Sequence, residues 1–229
     1  MKASEHQILS SINQIKMRLE EAKLLYIWNN SVVERTGNKG RKRITWAVLG
    51  TRPDIIGESN SNINEYLTFL KEKHFQFQLI DGSLIQLSYE IDSRSNVKCS
   101  RLVWYPCPIE FIPEELEYAT LEELVRTSPT GKIGCRAPIR IDFSPELAQP
   151  NHPHTHLHLG MEDFRLPVHR AIEPLRFIRL IVRTIYPKIW ETSEIFRAAE
   201  NWAPQDFLED EDKSVGFLSW HIPIPIVTI

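Results

Sequence analysis

HFQFQLIDGSLIQLSYEID, residues 74–92, is the stretch on which the fold turns. Phe75, Phe77 and Leu79 alternate with Gln76 and Gln78, while Ile85, Leu87 and Tyr89 alternate with Gln86 and Ser88. Successive strand side chains point to opposite faces, so each run offers one apolar face. A two-residue Asp81-Gly82 loop sets Phe77 against Gln86 and mixes the faces. A three-residue Asp81-Gly82-Ser83 loop sets Leu79 against Ile85, Phe77 against Leu87 and Phe75 against Tyr89. A buried face fixes register, so the three-residue loop with a bulge is expected. Arg101–Tyr105 supplies a third strand, stopped by Pro106 and Pro108.

Toward the N-terminus, Ser4 and Gln7 read as a capping box. Ile8, Ile12, Ile15, Leu19, Ala22 and Tyr26 then recur at three- and four-residue steps, predicting one amphipathic helix over about residues 5–29. Its stripe packs on the protein's own core or on a partner. RTGNKGRKR, residues 35–43, breaks the helix and carries Arg35, Lys39, Arg41, Lys42 and Arg43. A strand is expected at Ile44–Leu49, then a connection rich in Pro, Gly, Asn and Ser. Asn62 with Glu65 opens a short helix bearing Ile63, Tyr66, Leu67 and Leu70.

Toward the C-terminus, Thr120 with Glu123 caps a helix reaching Thr127, and IRIDF (139–143) alternates cleanly. THLHLG and DFRLPV predict a second hairpin about a Gly160–Asp163 turn, with Leu157 beside Leu166, His158 beside Arg165 and His154 near His169. Pro174 opens a helix bearing Leu175, Phe177, Ile178, Ile181, Val182 and Ile185. A last helix, Ile189–Asn201, leads to the acidic FLEDEDK and the tail HIPIPIVTI, whose prolines exclude a central strand. This order predicts an α+β fold, a mostly antiparallel sheet flanked by helices with a long N-terminal amphipathic helix. With no repeat and no break in composition, the chain reads as one domain: a helical arm (1–34), a core (43–187), and a C-terminal helix and tail (188–229).

A chain of 229 residues, 42% hydrophobic and 25% charged, buries a core without a metal or disulfide. At a net charge of -3, no global field selects nucleic acid or anionic lipid. Cys99, Cys107 and Cys135 form no CxxC pair and leave an odd thiol, which predicts a reducing compartment, the cytoplasm. MKASEHQILSSINQIKMRLEE is neither a signal peptide nor a span, and no run approaches ~18 apolar residues, so no membrane is expected. GxxxxGK[ST], GxGxxG and GxSxG are all missing, which sets aside P-loop, dinucleotide and common serine-hydrolase chemistry. Cys107, between two prolines, reads as a packed thiol.

The conspicuous chemistry is HPHTHLHLG, residues 152–160, which holds half of the chain's eight histidines. On a strand, His154, His156 and His158 share one face, while Thr155, Leu157 and Leu159 turn to the core. Adding IRIDF gives a polar face of Arg140, Asp142, His154, His156, His158 and Arg165. Three readings compete for it. It is a wet strand face, a phosphate-handling face, or a metal site. Histidine serves as acid and base near neutral pH, and arginine holds phosphate bidentately. Imidazoles with Asp142 suit zinc or manganese, though without a cysteine partner or HExxH spacing. The Arg35–Arg43 loop is either a solvated turn or a nucleic-acid contact, and Arg176, Arg179 and Arg183 read as a solvent-facing stripe.

DGSLIQLSYE, RLVWYPCP, RIDFSP, the HPHTHL segment, FRLPV and a helix ending RTIYP, in that order, resemble the bacterial domain-of-unknown-function family 2290 over about residues 43–187. The resemblance implies architecture rather than an activity. The family's pattern H-P-x-[ST]-H-L falls on His152, Pro153, Thr155, His156 and Leu157 and leaves His154 and His158 unspecified. It thereby favours His156 with Asp142, Arg140 and Arg165 over a metal held by His154, His156 and His158. The chain is also similar, more loosely, to small bacterial toxin ribonucleases that pair an R-x-D strand with a downstream histidine segment, here Arg140, Asp142, His154 and His156. The expected function is a nucleic-acid-directed effector of a prokaryotic toxin or antiphage system, RNase-like and without metal or other cofactor. His156, His154, His152, Asp142, Arg140 and Arg165 are its expected catalytic residues, and Arg35, Lys39, Arg41, Lys42 and Arg43 its RNA contacts. The alternatives are a non-catalytic subunit, docking a protein partner through the N-terminal helix or C-terminal tail, and a histidine-based metal-binding protein.

Overall fold

The capping box forms as its residues dictate. Ser4 Oγ accepts the Gln7 N–H at 3.2 Å, and Gln7 Oε1 accepts the Ser4 N–H at 2.8 Å. They open α1 (Glu5–Glu21), which buries Ile8, Ile12, Ile15 and Leu19. The helix is shorter than its predicted span to residue 29. Lys23 turns left-handed at φ 54, the Leu24 N–H reaches Leu19 O at 2.9 Å, and the Lys23 N–H reaches Glu20 O at 3.0 Å. Those two bonds make a Schellman end that satisfies the last carbonyls. Leu25–Trp28, rich in β-formers, then becomes the strand β1.

The computed structural model describes residues 1–36, 40–46, 63–128, 137–149, 152–160 and 164–196. Its further strands are β2 (Val32–Arg35), β3 (Lys42–Thr45), β4 (Phe77–Leu79), β5 (Leu84–Ile91), β6 (Val97–Tyr105), β7 (Ile139–Phe143), β8 (Thr155–Leu159) and β9 (Leu166–Pro167). Its further helices are α2 (Ile63–Glu72), α3 (Leu121–Thr127), α4 (Pro174–Ile185) and α5 (Pro187–Thr192). The fold is α+β. Among the described residues, nine strands form one antiparallel sheet in the order β1-β4-β5-β6-β7-β8-β9, with β3 also on β5 and β2 on β3.

The central hairpin closes with three loop residues, one place earlier than expected. Leu79 N–H reaches Ser83 O at 2.8 Å, and Phe77 stands opposite Ile85 rather than Leu87. Gly82, at φ +78, takes the left-handed position, and Asp81 Oδ1 accepts the Ser83 N–H at 3.0 Å. The glycine selects the loop, and a shift of two preserves which face each side chain takes.

Helices cover both faces, so the alternating glutamines are buried rather than wet. Helices α1 and α4 lie on one face, where Leu87, Tyr89, Leu102, Trp104, Ile141, Phe143 and Leu157 join the core. Phe177, Ile178, Ile181 and Val182 of α4 are buried there, each contributing about 1.5–3 kcal/mol. Helices α2 and α3 pack on the other face with Leu84, Val103, Tyr105 and Cys107. The α1 stripe is thus packed on the protein's own core, the first of the two placements open to it. The segment expected as an arm belongs to the body, giving it α1 and two strands.

Near the C-terminus, the described part of the expected Ile189–Asn201 helix is the short α5 and, past the extended Ser193, a 3-10 turn at Glu194–Phe196; residues 197–201 lie outside the described residues. The expected strand to Leu49 is seen as β3 up to Thr45. The Asn62 cap, most of the Gly160–Asp163 turn, the acidic run and the proline-bearing tail lie outside the described residues. No helix among the described residues is long and apolar enough to cross a membrane.

Candidate active site

Strand β7 positions the site. Its Ile141 and Phe143 go to the α1/α4 core, which turns Arg140 and Asp142 to the opposite face. Register places Asp142 between Arg101 on β6 and His156 on β8, and Arg140 between Val103 and His158. Directly opposed residues are the closest cross-strand neighbours, so the polar side chains of three strands converge. Leu157 pairs with Leu166 as expected, which brings Arg165 onto the His158 side.

His156 is 1% exposed. Its Nδ1–H donates to Pro153 O at 2.9 Å, the only role open beside a carbonyl, so the Nε2 lone pair faces inward. That atom has no hydrogen-bond partner and lies 4.0 Å from Asp142 Oδ2. The His152 and His158 rings stand edge-on to the His156 ring, with centroids 4.5 Å and 4.7 Å from its own. Burial pushes the His156 pKa down. The Pro153 carbonyl and Asp142 pull it up, His152 and Arg165 push it down, and the balance lies below the usual imidazole value. The ring is therefore a neutral base at pH 7.

Asp142 is buried under two guanidiniums. Arg101 Nε donates to Oδ1 at 3.1 Å, and Arg140 Nε lies 3.2 Å from Oδ2. Arg140 also donates from Nη2 to His158 Nε2 at 2.9 Å. Two guanidiniums thus meet one carboxylate, and Arg165 lies near enough to His156 for its charge to act on the ring. The site has a basic rim, since the Arg101 side chain is 36% exposed and His152, His154 and Arg165 are half-buried.

Among the described residues, Asp142, His156 and His158 bring donor atoms within 4.8 Å of one another, with His158 Nε2 3.7 Å from Asp142 Oδ2. His154, expected beside them in a metal set, is not part of this group; its carbonyl accepts the Ser144 N–H at 2.8 Å. The His156 bond to Pro153 O is of the kind that orients metal-bound imidazoles. Two of the three donors, on Asp142 and His158, also face Arg140.

The hairpin cations are engaged with acids. Arg41 binds Glu90 at 3.1 Å and Glu146 at 2.6 Å, Lys42 binds Glu5 at 2.7 Å, and Arg43 lies 3.5 Å from Glu90. Arg35 ends β2 exposed, and Lys39 lies outside the described residues. Leu159, expected in the core, is exposed at the sheet end beside Ala137, Ile139 and Tyr186. In the α4 stripe, Arg176 pairs with Glu173 at 3.0 Å, and Arg179 and Arg183 lie over the Trp190 ring. Burial, with Glu90 nearby, pushes the Cys99 thiol up to about 11, so it is a poor nucleophile. Sequence reasoning missed Arg101. Its signal was present, because Leu102 and Trp104 alternate with it, but only the β6–β7 pairing assigns it to Asp142.

No curated protein and no solved structure matches this chain. The family described as "Uncharacterized conserved protein (DUF2290)" matches residues 24–220, which takes in the sheet, the histidine strand and α4. The chain belongs to this family.

Proposed function

We propose that the protein is a nucleic-acid-directed effector that cleaves RNA without a metal at the Asp142–His156 cluster. One observation supports this reading above others: His156 Nε2 has no hydrogen-bond partner and lies beside the Asp142 carboxylate, which holds Arg140 and the partly exposed Arg101. In the proposed step, His156 Nε2 accepts the proton of a ribose 2′-hydroxyl. The 2′-oxygen bonds to phosphorus and the bond from phosphorus to the 5′-oxygen breaks. His152, against the His156 ring, returns a proton to that leaving oxygen, with His154 the next candidate on the rim. The product ends are a 2′,3′-cyclic phosphate and a 5′-hydroxyl. Arg101 and Arg140, held in place by Asp142, stabilise charge on the phosphoryl oxygens, with Arg165 beside them. Among the described hairpin cations, Arg35 is the one most available to a longer RNA, since Arg41, Lys42 and Arg43 already hold carboxylates.

The test is incubation of wild-type protein and His156→Ala with a mixed-sequence RNA, with and without a chelator. The expected result is chelator-resistant cleavage to cyclic-phosphate ends, lost in the variant. Cleavage that needs added divalent metal favours ion binding at Asp142, His156 and His158. Cleavage identical in wild type and His156→Ala overturns the assignment. A toxin or antiphage setting suits such an activity, and expressing both proteins in bacterial cells tests it. Growth arrest by the wild type alone is the expected outcome.

A further inference from the structure

Aromatic and aliphatic side chains stand exposed side by side where the sheet ends. Among the described residues, β1 pairs with β4 alone, and its Tyr26, Ile27 and Trp28 are exposed. The register slips between Leu25 and Ile27, which leaves Tyr26 as an extra residue. Such a bulge re-aims side chains, so Tyr26 and Ile27, which an even strand would send to opposite faces, both line one groove. The groove encloses about 490 Å³, and its far wall is the turn between the 3-10 helix Pro113–Glu117 and α3. Tyr118, on that wall, is 88% exposed. Tyrosine and tryptophan gathered in one exposed place have the composition of an interface.

Backbone and charge define the partner that fits. The Asn29 N–H donates to Gln76 O at 2.9 Å, so the preceding residue, Trp28, turns its own N–H and C=O away from β4 to the open edge. Unpaired edge groups are a template for another strand. Lys16 Nζ lies 3.9 Å from the centre of the Trp28 ring and steadies it from α1. The charged residues among those lining the groove are all acids, Glu117, Glu122 and Glu123. Glu123 is taken up by the Thr120 cap and Glu122 by Arg126, while Glu117 is exposed and holds no cation among the described residues.

We infer that this edge docks an extended, basic segment of another protein, added to the sheet as a strand beside β1. The segment's main chain pairs with Trp28. Its alternate side chains, Lys or Arg, enter the groove, laying their stems along Ile27 and Tyr118 and their charge toward Glu117. The intervening apolar side chains pack on the Trp28 side. In sheet order β1 is four places from β7, so the surface lies apart from Asp142 and does not depend on the RNA-cleaving reading.

Fluorescence anisotropy of a labelled octapeptide of alternating Lys and Val, titrated with the full chain, tests this. Binding is expected, and an octapeptide of alternating Glu and Val should bind about tenfold more weakly or not at all. Methylating the amides of alternate residues removes the N–H groups along one strand edge. Of two such peptides, methylated at every Val or at every Lys, one is expected to lose binding. Tyr118→Ser and Ile27→Thr should each weaken binding about fivefold or more, with thermal unfolding to check that both variants fold. Tyr118 is so exposed that its variant stays informative if Ile27→Thr folds poorly. A Lys–Val peptide that does not bind overturns the proposal. So does unchanged binding of both methylated peptides, equal binding of the Glu–Val peptide, or a Tyr118→Ser protein that binds as wild type does. A wild-type dimer in sedimentation that Tyr118→Ser dissolves puts a second copy on the edge and overturns it as well.

Discussion

The two ring nitrogens of His156 meet different fates, and each gives a measurable consequence. Nδ1 is anchored to Pro153 O, while Nε2 is left to act. In an RNA cleavage assay, His156→Ala should lower the rate about 10²–10⁴-fold, as loss of a general base does. The lowered pKa has a definite sign. The folded ring resists protonation, whereas the unfolded ring takes a proton near the ordinary value of 6.5. Its stabilising contribution is therefore full above that value and lost as pH falls below it toward the depressed folded pKa. Urea unfolding at about pH 7.5 and about pH 5 should show wild type losing more stability than His156→Gln between the two. Asp142→Asn should cost about 3–5 kcal/mol in the same measurement, because it strips the carboxylate from the buried Arg140. A loss below about 1 kcal/mol, the range of surface pairs, would show that the ion pair holds little.

Loops and helix ends decided where the elements begin and stop. Lys23 holds a left-handed position that glycine takes at no steric cost, so Lys23→Gly should raise stability by about 0.5–1 kcal/mol, read from the urea midpoint. Gly82→Ala should do the reverse, by about 1–3 kcal/mol. Its φ is positive, and a Cβ there would meet Cys107 Sγ at 2.9 Å and Leu121 Cδ2 at 3.1 Å. The alternation of Phe77, Leu79, Ile85 and Leu87 was legible because buried faces repeat every two residues. The loop's start was not, because it depends on where Gly82 must turn, and Ser83 is indistinguishable from a loop residue by composition. Leu25–Trp28 continues the helical spacing through Tyr26, so only the Schellman bonds at Leu24 show the break. In the site, Asp142, Arg140 and His156 were legible from alternation within single strands. Arg101 joins them only through strand pairing, a long-range property that no local pattern carries.

At the scale of the whole molecule, one sheet separates two helical layers, and α1 is as much core as α4. Ile15→Ala should cost about 2–5 kcal/mol and still give a single unfolding transition by circular dichroism and fluorescence, since α1, α4 and the sheet share one apolar cluster. Separate transitions for the two probes would mean that α1 is an independent unit.

The crossing of Asp142 between Arg101 and His156 also bears on how the sheet assembles. A one-residue slip of β7 would swing its carboxylate and guanidinium into the layer of Leu102, Trp104 and Leu157 and lift Ile141 into the polar one. Buried charge without its counter-charge is among the costliest errors a chain can make, so a misaligned β7 finds no resting place. The residues proposed to act on a phosphodiester thus also proofread strand alignment, and drift in their chemistry is tied to the chain's ability to find its own pairing.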